Sequence, residues 1–218
     1  MSDEFWEYNT STDTWTQLNN TVVPARTHGS IALNNDKIYI LAGHSENIGV
    51  SGISSDLHDL WVYDFSTQSF SELSSMDYRL SAQCTTIKNN KLYSFGGDTD
   101  YSNEPIFVYD ISVNEWEYRN NLIGYIHKTK SFLYNDDIYI YAGNVVNGNT
   151  DILRKYNDNN NSYQTISIGL QAVNGHDISV YNENLYSYGG NLFNGNSKKL
   201  IEYSFSNNKW EFKNGFGN

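Results

Sequence analysis

Cysteine is almost missing from this chain of 218 residues: Cys84 stands alone. No intrachain disulfide can form, so an oxidising compartment is not built into the fold. Proline occurs only twice, so turns must be made by Gly, Asn and Asp, which tolerate positive φ. Basic residues are few: 14 Lys and Arg stand against 25 Asp and Glu, a net charge of −11. A phosphate backbone or an anionic lipid surface would be repelled overall, which argues against nucleic-acid and membrane partners. No run approaches the ~18 apolar residues of a membrane-spanning helix. Met1-Ser2-Asp3-Glu4 opens on acids with no apolar core, so no signal peptide is expected and the cytoplasm is the expected location. There is no Gly-x-Ser-x-Gly elbow, phosphate loop or dinucleotide fingerprint.

What the chain has is aromatic residues, 15% of the total, with 18 Tyr and 5 Trp. Strands favour such side chains, which leans the chain towards an all-β fold. They recur in register. An apolar strand ending in Ala-Gly or Gly-Gly appears as Ile38–Gly43, Leu92–Gly97, Ile138–Gly143 and Leu185–Gly190. A strand with a fixed tyrosine appears five times, at Tyr8, Tyr63, Tyr109, Tyr156 and Tyr203, stepping by 55, 46, 47 and 47. An aromatic follows each tyrosine seven residues later: Trp15, Phe70, Trp116, Tyr163 and Trp210. Turn-forming runs such as Asn9-Thr10-Ser11-Thr12-Asp13 lie between, as a tight hairpin requires. A further strand precedes each Gly-bearing one, for example Cys84–Ile87. Each unit of about 47 residues therefore predicts four short antiparallel strands.

Gly-Gly after an Ile/Leu-Tyr strand, then Tyr-Asp, then Trp at fixed distance resembles the kelch repeat; Gly96-Gly97, Tyr109-Asp110 and Trp116 form the fullest copy. Pro24–Ser30 resembles the segment that opens a kelch unit. The copies depart from the pattern at Ala42 and Ala142, at Asn157 after Tyr156 and at Ser204 after Tyr203. The Trp-Asp dipeptide of the rival WD repeat is absent. The resemblance implies an all-β, kelch-type β-propeller of four-stranded antiparallel blades, which leave only short edges. The whole of 1–218 reads as one kelch array. Complete repeats fall at 24–73, 79–122, 126–166 and 175–212, with a half-blade at 1–18. Five tyrosine tails but four glycine heads make about four complete blades plus one half-blade. Three readings stay open: an open ring, closure around an incomplete blade, or further blades supplied by a longer chain or by self-association.

His28, His127 and His176 fall 11, 12 and 10 residues before the second-strand tyrosine, which suggests one recurring structural position. The loop from His44 to Asp59 is the longest and holds Glu46, Asp56, His58 and Asp59. A carboxylate/His cluster can take a divalent metal, and nitrile-specifier proteins of the kelch family use an iron site on such loops. Asp98, Asp100 and Glu104 could serve acid–base chemistry. The expected role of both loops is exposed polar surface, with no catalytic residue, metal or cofactor. Cys84, the single candidate for a galactose-oxidase-like cross-link, is expected to be a small buried strand residue.

The resemblance implies that the loops joining blades and those following the second strand converge on one face, where binding resides. Residue types favoured at interfaces lie there: Arg26, Tyr78, Arg79, Tyr101, Arg119, Tyr125 and Phe193. Arg26 and Arg79 could grip a carboxylate bidentately, or pair with an acid of the protein itself. The function so implied is a protein-interaction module for a peptide or protein segment. The alternative is a metal- or carbohydrate-dependent enzyme or specifier protein using the same loops.

Overall fold

Strand periodicity with tight turns produces one antiparallel sheet per repeat. The computed structural model describes residues 3–19, 22–46, 55–99, 106–120 and 124–214. A two-stranded hairpin comes first, β1 (Phe5–Asn9) with β2 (Thr14–Leu18). Blade I runs β3 (Ser30–Asn34), β4 (Lys37–His44), β5 (Asp56–Asp64), β6 (Ser69–Leu73). Blade II runs β7 (Cys84–Lys88), β8 (Lys91–Phe95), β9 (Ile106–Asp110), β10 (Glu115–Arg119). Blade III holds β11 (Ile126–His127), β12 (Lys130–Tyr134), β13 (Asp137–Val145), β14 (Gly148–Asn157) and β15 (Ser162–Ile168). Blade IV holds β16 (Asp177–Tyr181), β17 (Asn184–Tyr188), β20 (Leu200–Ser204) and β21 (Lys209–Lys213). A short side hairpin belongs to it, β18 (Asn191–Leu192) with β19 (Gly195–Asn196). The four blades are arranged as a β-propeller.

The turns explain the composition. First and second strands join through Asn89-Asn90, Asn135-Asp136 and Asn182-Glu183, each pair with both φ near +50° to +60°. That is the conformation of a two-residue hairpin turn, in which Asn and Asp are at home and Pro is not. Register is uniform: Ile38, Leu92, Ile138 and Leu185 lie opposite Tyr63, Tyr109, Tyr156 and Tyr203.

The core is a series of seams between blades. Tyr39, Leu41, Leu60 and Val62 of blade I meet Leu92, Phe107 and Tyr109 of blade II. Tyr93, Phe95, Ile106 and Val108 then meet Ile138, Ile140 and Tyr156. Tyr139, Tyr141 and Leu153 meet Leu185, Ile201, Tyr203 and Trp210. The fixed tyrosines of the four blades are thus buried packing residues. The β1–β2 hairpin differs. Phe5 packs on Phe70, but Tyr8 and Trp15 stack on each other at 4.9 Å and stay 42% and 64% exposed. Among the described residues no blade covers that side of the hairpin.

The second glycine of each head holds the seams close. The N–H groups of Gly43, Gly97 and Gly143 donate to the carbonyls of Leu80, Ile126 and Val173 in the following blade, at 2.8–2.9 Å. A Cβ on Gly43 would lie 2.7 Å from Thr27 O and from Gly29 N, so only glycine admits this approach. The first position is less strict in blades I and III. Ala42 and Ala142 keep the left-handed φ of 48° and 55° and are fully buried, which accounts for the two Ala-Gly copies.

Candidate functional site

Four first strands, β3, β7, β12 and β16, line a central channel of about 330 Å³. Its mouth on the loop face is built by repetition. One residue just past each glycine pair bridges one residue just before each first strand: His44 with Thr27, Asp98 with Ser81, Asn144 with His127, Asn191 with Asn174. The next residues, His28, Ala82, Lys128 and Gly175, all have φ between 51° and 60°. They are joined by a backbone hoop: Ala82 N–H to His28 O, Lys128 N–H to Ala82 O, Gly175 N–H to Lys128 O, at 2.8–3.0 Å. A left-handed conformation costs a non-glycine residue roughly 1–2 kcal/mol. The hoop hydrogen bonds offset that cost and make the mouth rigid.

The three histidines expected at one position therefore occupy three. His127 is the bridging residue, His28 the hoop residue, and His176 the residue after the hoop, turned inward. His176 is 2% exposed, and neither ring nitrogen has a hydrogen-bond partner. Burial, then Lys130, lowers its pKa to about 4. The hoop residue lies 11 residues before the second-strand tyrosine in all four blades, so the offsets of 11, 12 and 10 already marked three different positions.

The mouth opens into a cavity of about 380 Å³ lined by His28, His44, Glu46, Asp98 and Lys128, with the Thr27–Ser81–Ala82 backbone. His44 Nδ1 bonds Asp56 at 2.8 Å. Tyr125 donates its hydroxyl to Asp98 Oδ1 at 2.6 Å, and His127 Nδ1 sits 2.6 Å from the same oxygen. His58 Nδ1 bonds the carbonyl of Met76, not a neighbouring acid. Among the described residues no three His, Cys, Asp or Glu side chains converge to hold a metal ion. Cys84 is buried, its thiol pushed up to about 12 by burial, with Sγ donating to Phe95 O.

The candidate binding residues separate into groups. Arg26 is committed inside blade I: its guanidinium pairs bidentately with Asp59 at 2.8 and 2.9 Å and also reaches Ala42 O and Pro24 O. Asp59 accepts Trp61 Nε1 as well. Arg119 ties the seam between blades II and III, gripping Glu117, Tyr156 Oη and Asp158 O and lying over the Tyr93 ring. Tyr78 packs on Phe107 and Tyr118. Arg79 donates to Asp56 O at 2.6 Å and pairs with no carboxylate among the described residues. Tyr125 joins Asp98 and His127 at the mouth, and Phe193 stands at a hairpin tip, 87% exposed. Tyr101, with Asp100 and Glu104, lies outside the described residues.

The loop face carries a second repeated pattern. Asn144-Val145-Val146-Asn147-Gly148-Asn149 and Asn191-Leu192-Phe193-Asn194-Gly195-Asn196 repeat one six-residue pattern in successive blades. Both form hairpin fingers closed by a glycine, with φ 121° and 115°. Their tips carry Val146, 79% exposed, and Phe193. Asn149 braces them, accepting from Asn144 and Asn174 and donating to Asn191 O.

The KLHDC2/KLHL20/DRC7 Kelch-repeats domain model matches residues 1–143. The chain belongs to the kelch-repeat family. No curated protein matches. Among solved structures, that of YjhT is similar with a TM-score of 0.77 and 14% identity, covering 92% of this chain and 68% of that one. At that identity the likeness concerns the kelch fold alone. No helix among the described residues is long and apolar enough to cross a membrane.

Proposed function

We propose that this kelch array is a cytoplasmic protein-interaction module that holds a peptide or protein segment across its loop face. One observation carries the reading: two apolar finger tips, Val146 and Phe193, project into solvent beside a rigid polar mouth. Exposed aromatics next to fixed polar groups are the usual make-up of a protein-binding surface. In this reading Phe193 is the anchor and Arg79 the grip for a carboxylate. Tyr125 and Asp98 offer hydrogen bonds at the rim. Tyr78 backs the Arg79 loop, while Arg26 and Arg119 hold the blades that present the face.

Peptides selected against the purified protein from a displayed library test it. Arg79→Ala and Phe193→Ala are expected to weaken the selected peptides at least tenfold, about 1.4 kcal/mol, with circular dichroism unchanged. Arg26→Ala is expected to lower Tm instead, because it strands the buried Asp59. Undiminished binding by both Arg79→Ala and Phe193→Ala would sink the assignment.

A further inference from the structure

An Asn-Gly pair is a chemically labile point in a chain: the glycine nitrogen, with no Cβ to shield it, can attack the side-chain amide before it. Among the described residues there are three such pairs, Asn147-Gly148, Asn174-Gly175 and Asn194-Gly195. Their settings differ. Asn174 is buried; its Nδ2 donates to Asn149 Oδ1 at 2.7 Å and its Oδ1 accepts from Asn191 at 3.5 Å. The N–H of Gly175 is committed to Lys128 O in the hoop. Neither that side chain nor that nitrogen can move without opening the mouth.

The other two pairs turn the fingers. Asn147 and Asn194 are exposed, and neither side-chain amide has a hydrogen-bond partner among the described residues. A Cβ on Gly148 or Gly195 would meet nothing within 4 Å, so a ring closing across the Asn-Gly bond has room. A Cβ on Gly175 would meet Asn191 Nδ2 at 3.6 Å. The two fingers also differ from each other. The Asn194 finger is β18 with β19, a hairpin of two residue pairs outside the ladder of its blade. The Asn147 finger continues the β13–β14 ladder of blade III. A short separate hairpin opens more often than the end of a long one.

We propose that Asn194 and Asn147 are self-modification sites, at which the neutral finger tips become anionic. The one co-reactant is water. The glycine nitrogen gives up its proton and bonds to the Asn Cγ. The Cγ–Nδ2 bond breaks, and ammonia leaves with that proton, which makes a succinimide. Water then adds to one imide carbonyl and opens the ring to aspartate or isoaspartate. A side-chain amide is thus exchanged for a carboxylate, and in isoaspartate the backbone also gains a methylene. The new charge stands next to Phe193 or Val146 in sequence, at an apolar tip. Its consequence, weaker holding of an apolar partner, rests on the loop-face reading above. The chemistry at the two pairs does not.

The intact protein is aged at mildly alkaline pH, and its peptides are mapped by mass spectrometry that separates isoaspartate from aspartate. Conversion is expected in the order Asn194, Asn147, Asn174, with Asn174 at least tenfold slower than Asn194. In a urea-unfolded sample the three rates are expected to converge. Equal rates in the folded protein, or Asn174 leading, overturn the proposal. So does a spread of rates that persists after unfolding, because sequence neighbours and not the fold would then set it. Asn194→Gln makes the side chain too long for the five-membered ring and is expected to leave that finger unmodified. The library-selected peptides read the consequence separately. Aged wild-type protein is expected to bind them at least tenfold more weakly than fresh protein, whereas ageing the Asn147→Gln/Asn194→Gln protein changes nothing. Unchanged binding after mapped conversion overturns the effect on a partner. Failure of fresh protein to bind any peptide strikes the loop-face reading instead and leaves the mapped sites standing.

Discussion

At the residue scale the most consequential side chain is one whose chemistry is unused. His176 is buried against Tyr141 with both nitrogens unpartnered. A neutral imidazole can be held there; an imidazolium cannot be solvated. Its pKa is about 4 when folded and about 6.5 when unfolded, so between those values the unfolded chain binds the extra proton. Stability therefore falls as pH drops from 6.5 towards 4, by up to about 3 kcal/mol, and is unaffected by this group above that window. His176→Phe keeps a ring against Tyr141 and removes the titration. Thermal melts at pH 7 and pH 4.5 are expected to lie closer together in this variant, with Tm at pH 7 no lower than wild type. An unchanged gap would show that another group causes the acid loss. The sequence held the histidine but not its solitude, because the residue after the hoop, Gly29 in blade I, is polar in blades II and III too and finds partners there. Gln83 reaches Ser30 and Leu41 O, and Thr129 reaches Tyr141 O.

At the scale of the element, the spacing between the fixed tyrosine and the next aromatic encloses a latch. The hydroxyls of Tyr109, Tyr156 and Tyr203 donate to Asn114, Asn161 and Asn208, five residues on, at 2.6–3.0 Å. Each asparagine adopts a left-handed φ of 50–59° to bring its side chain back. Asn161 also donates to Asn120 O in blade II, so the turn of one blade clasps the end of another. Asn161→Ala removes both bonds and places alanine at positive φ, an expected loss of about 2 kcal/mol. Asn161→Gly is expected to recover part of it by relieving the backbone. In blade I the same place is Gln68, φ 52°, with no such bond to Tyr63. Gln68→Asn should therefore raise stability by about 1 kcal/mol. Denaturant titration reads all three, and equal midpoints for Ala and Gly at 161 would remove the conformational half of the argument. Strand count, turn chemistry and tyrosine spacing were legible because each is local. The loop face was legible only as a set of loops. Which arginine is engaged depends on partners such as Asp59, 33 residues away from Arg26, and sequence distance does not encode that contact.

At the scale of the whole molecule the two sides of the array differ. Blades I and II present Val62 and Val108 to the blade that follows. Blade III carries Lys155 at the same register, ion-paired to Asp137, with blade IV stacked on it. Blade IV carries Glu202 there, ion-paired to Lys213, which also holds Glu211, so a charge at this place does not mark an uncovered face. The first glycines of the heads turn coverage into a measurement. A Cβ on Gly96 would stand 2.0 Å from Ile126 O in blade III, whereas a Cβ on Gly189 would meet nothing nearer than Ser197 O at 4.0 Å. Both glycines have similar left-handed φ, 63° and 73°. Alanine at either site thus bears the same backbone cost of roughly 1–2 kcal/mol, and the difference isolates the seam. Gly96→Ala must push blade III away and break the Gly97-to-Ile126 hydrogen bond, so a further loss of at least 2 kcal/mol is expected. Gly189→Ala should cost little beyond the backbone term while the outer face of blade IV is uncovered. Urea midpoints of the two variants decide it. If Gly189→Ala proves as damaging as Gly96→Ala, a blade from another segment or another copy covers that face in solution, and its polar network faces a partner instead of water.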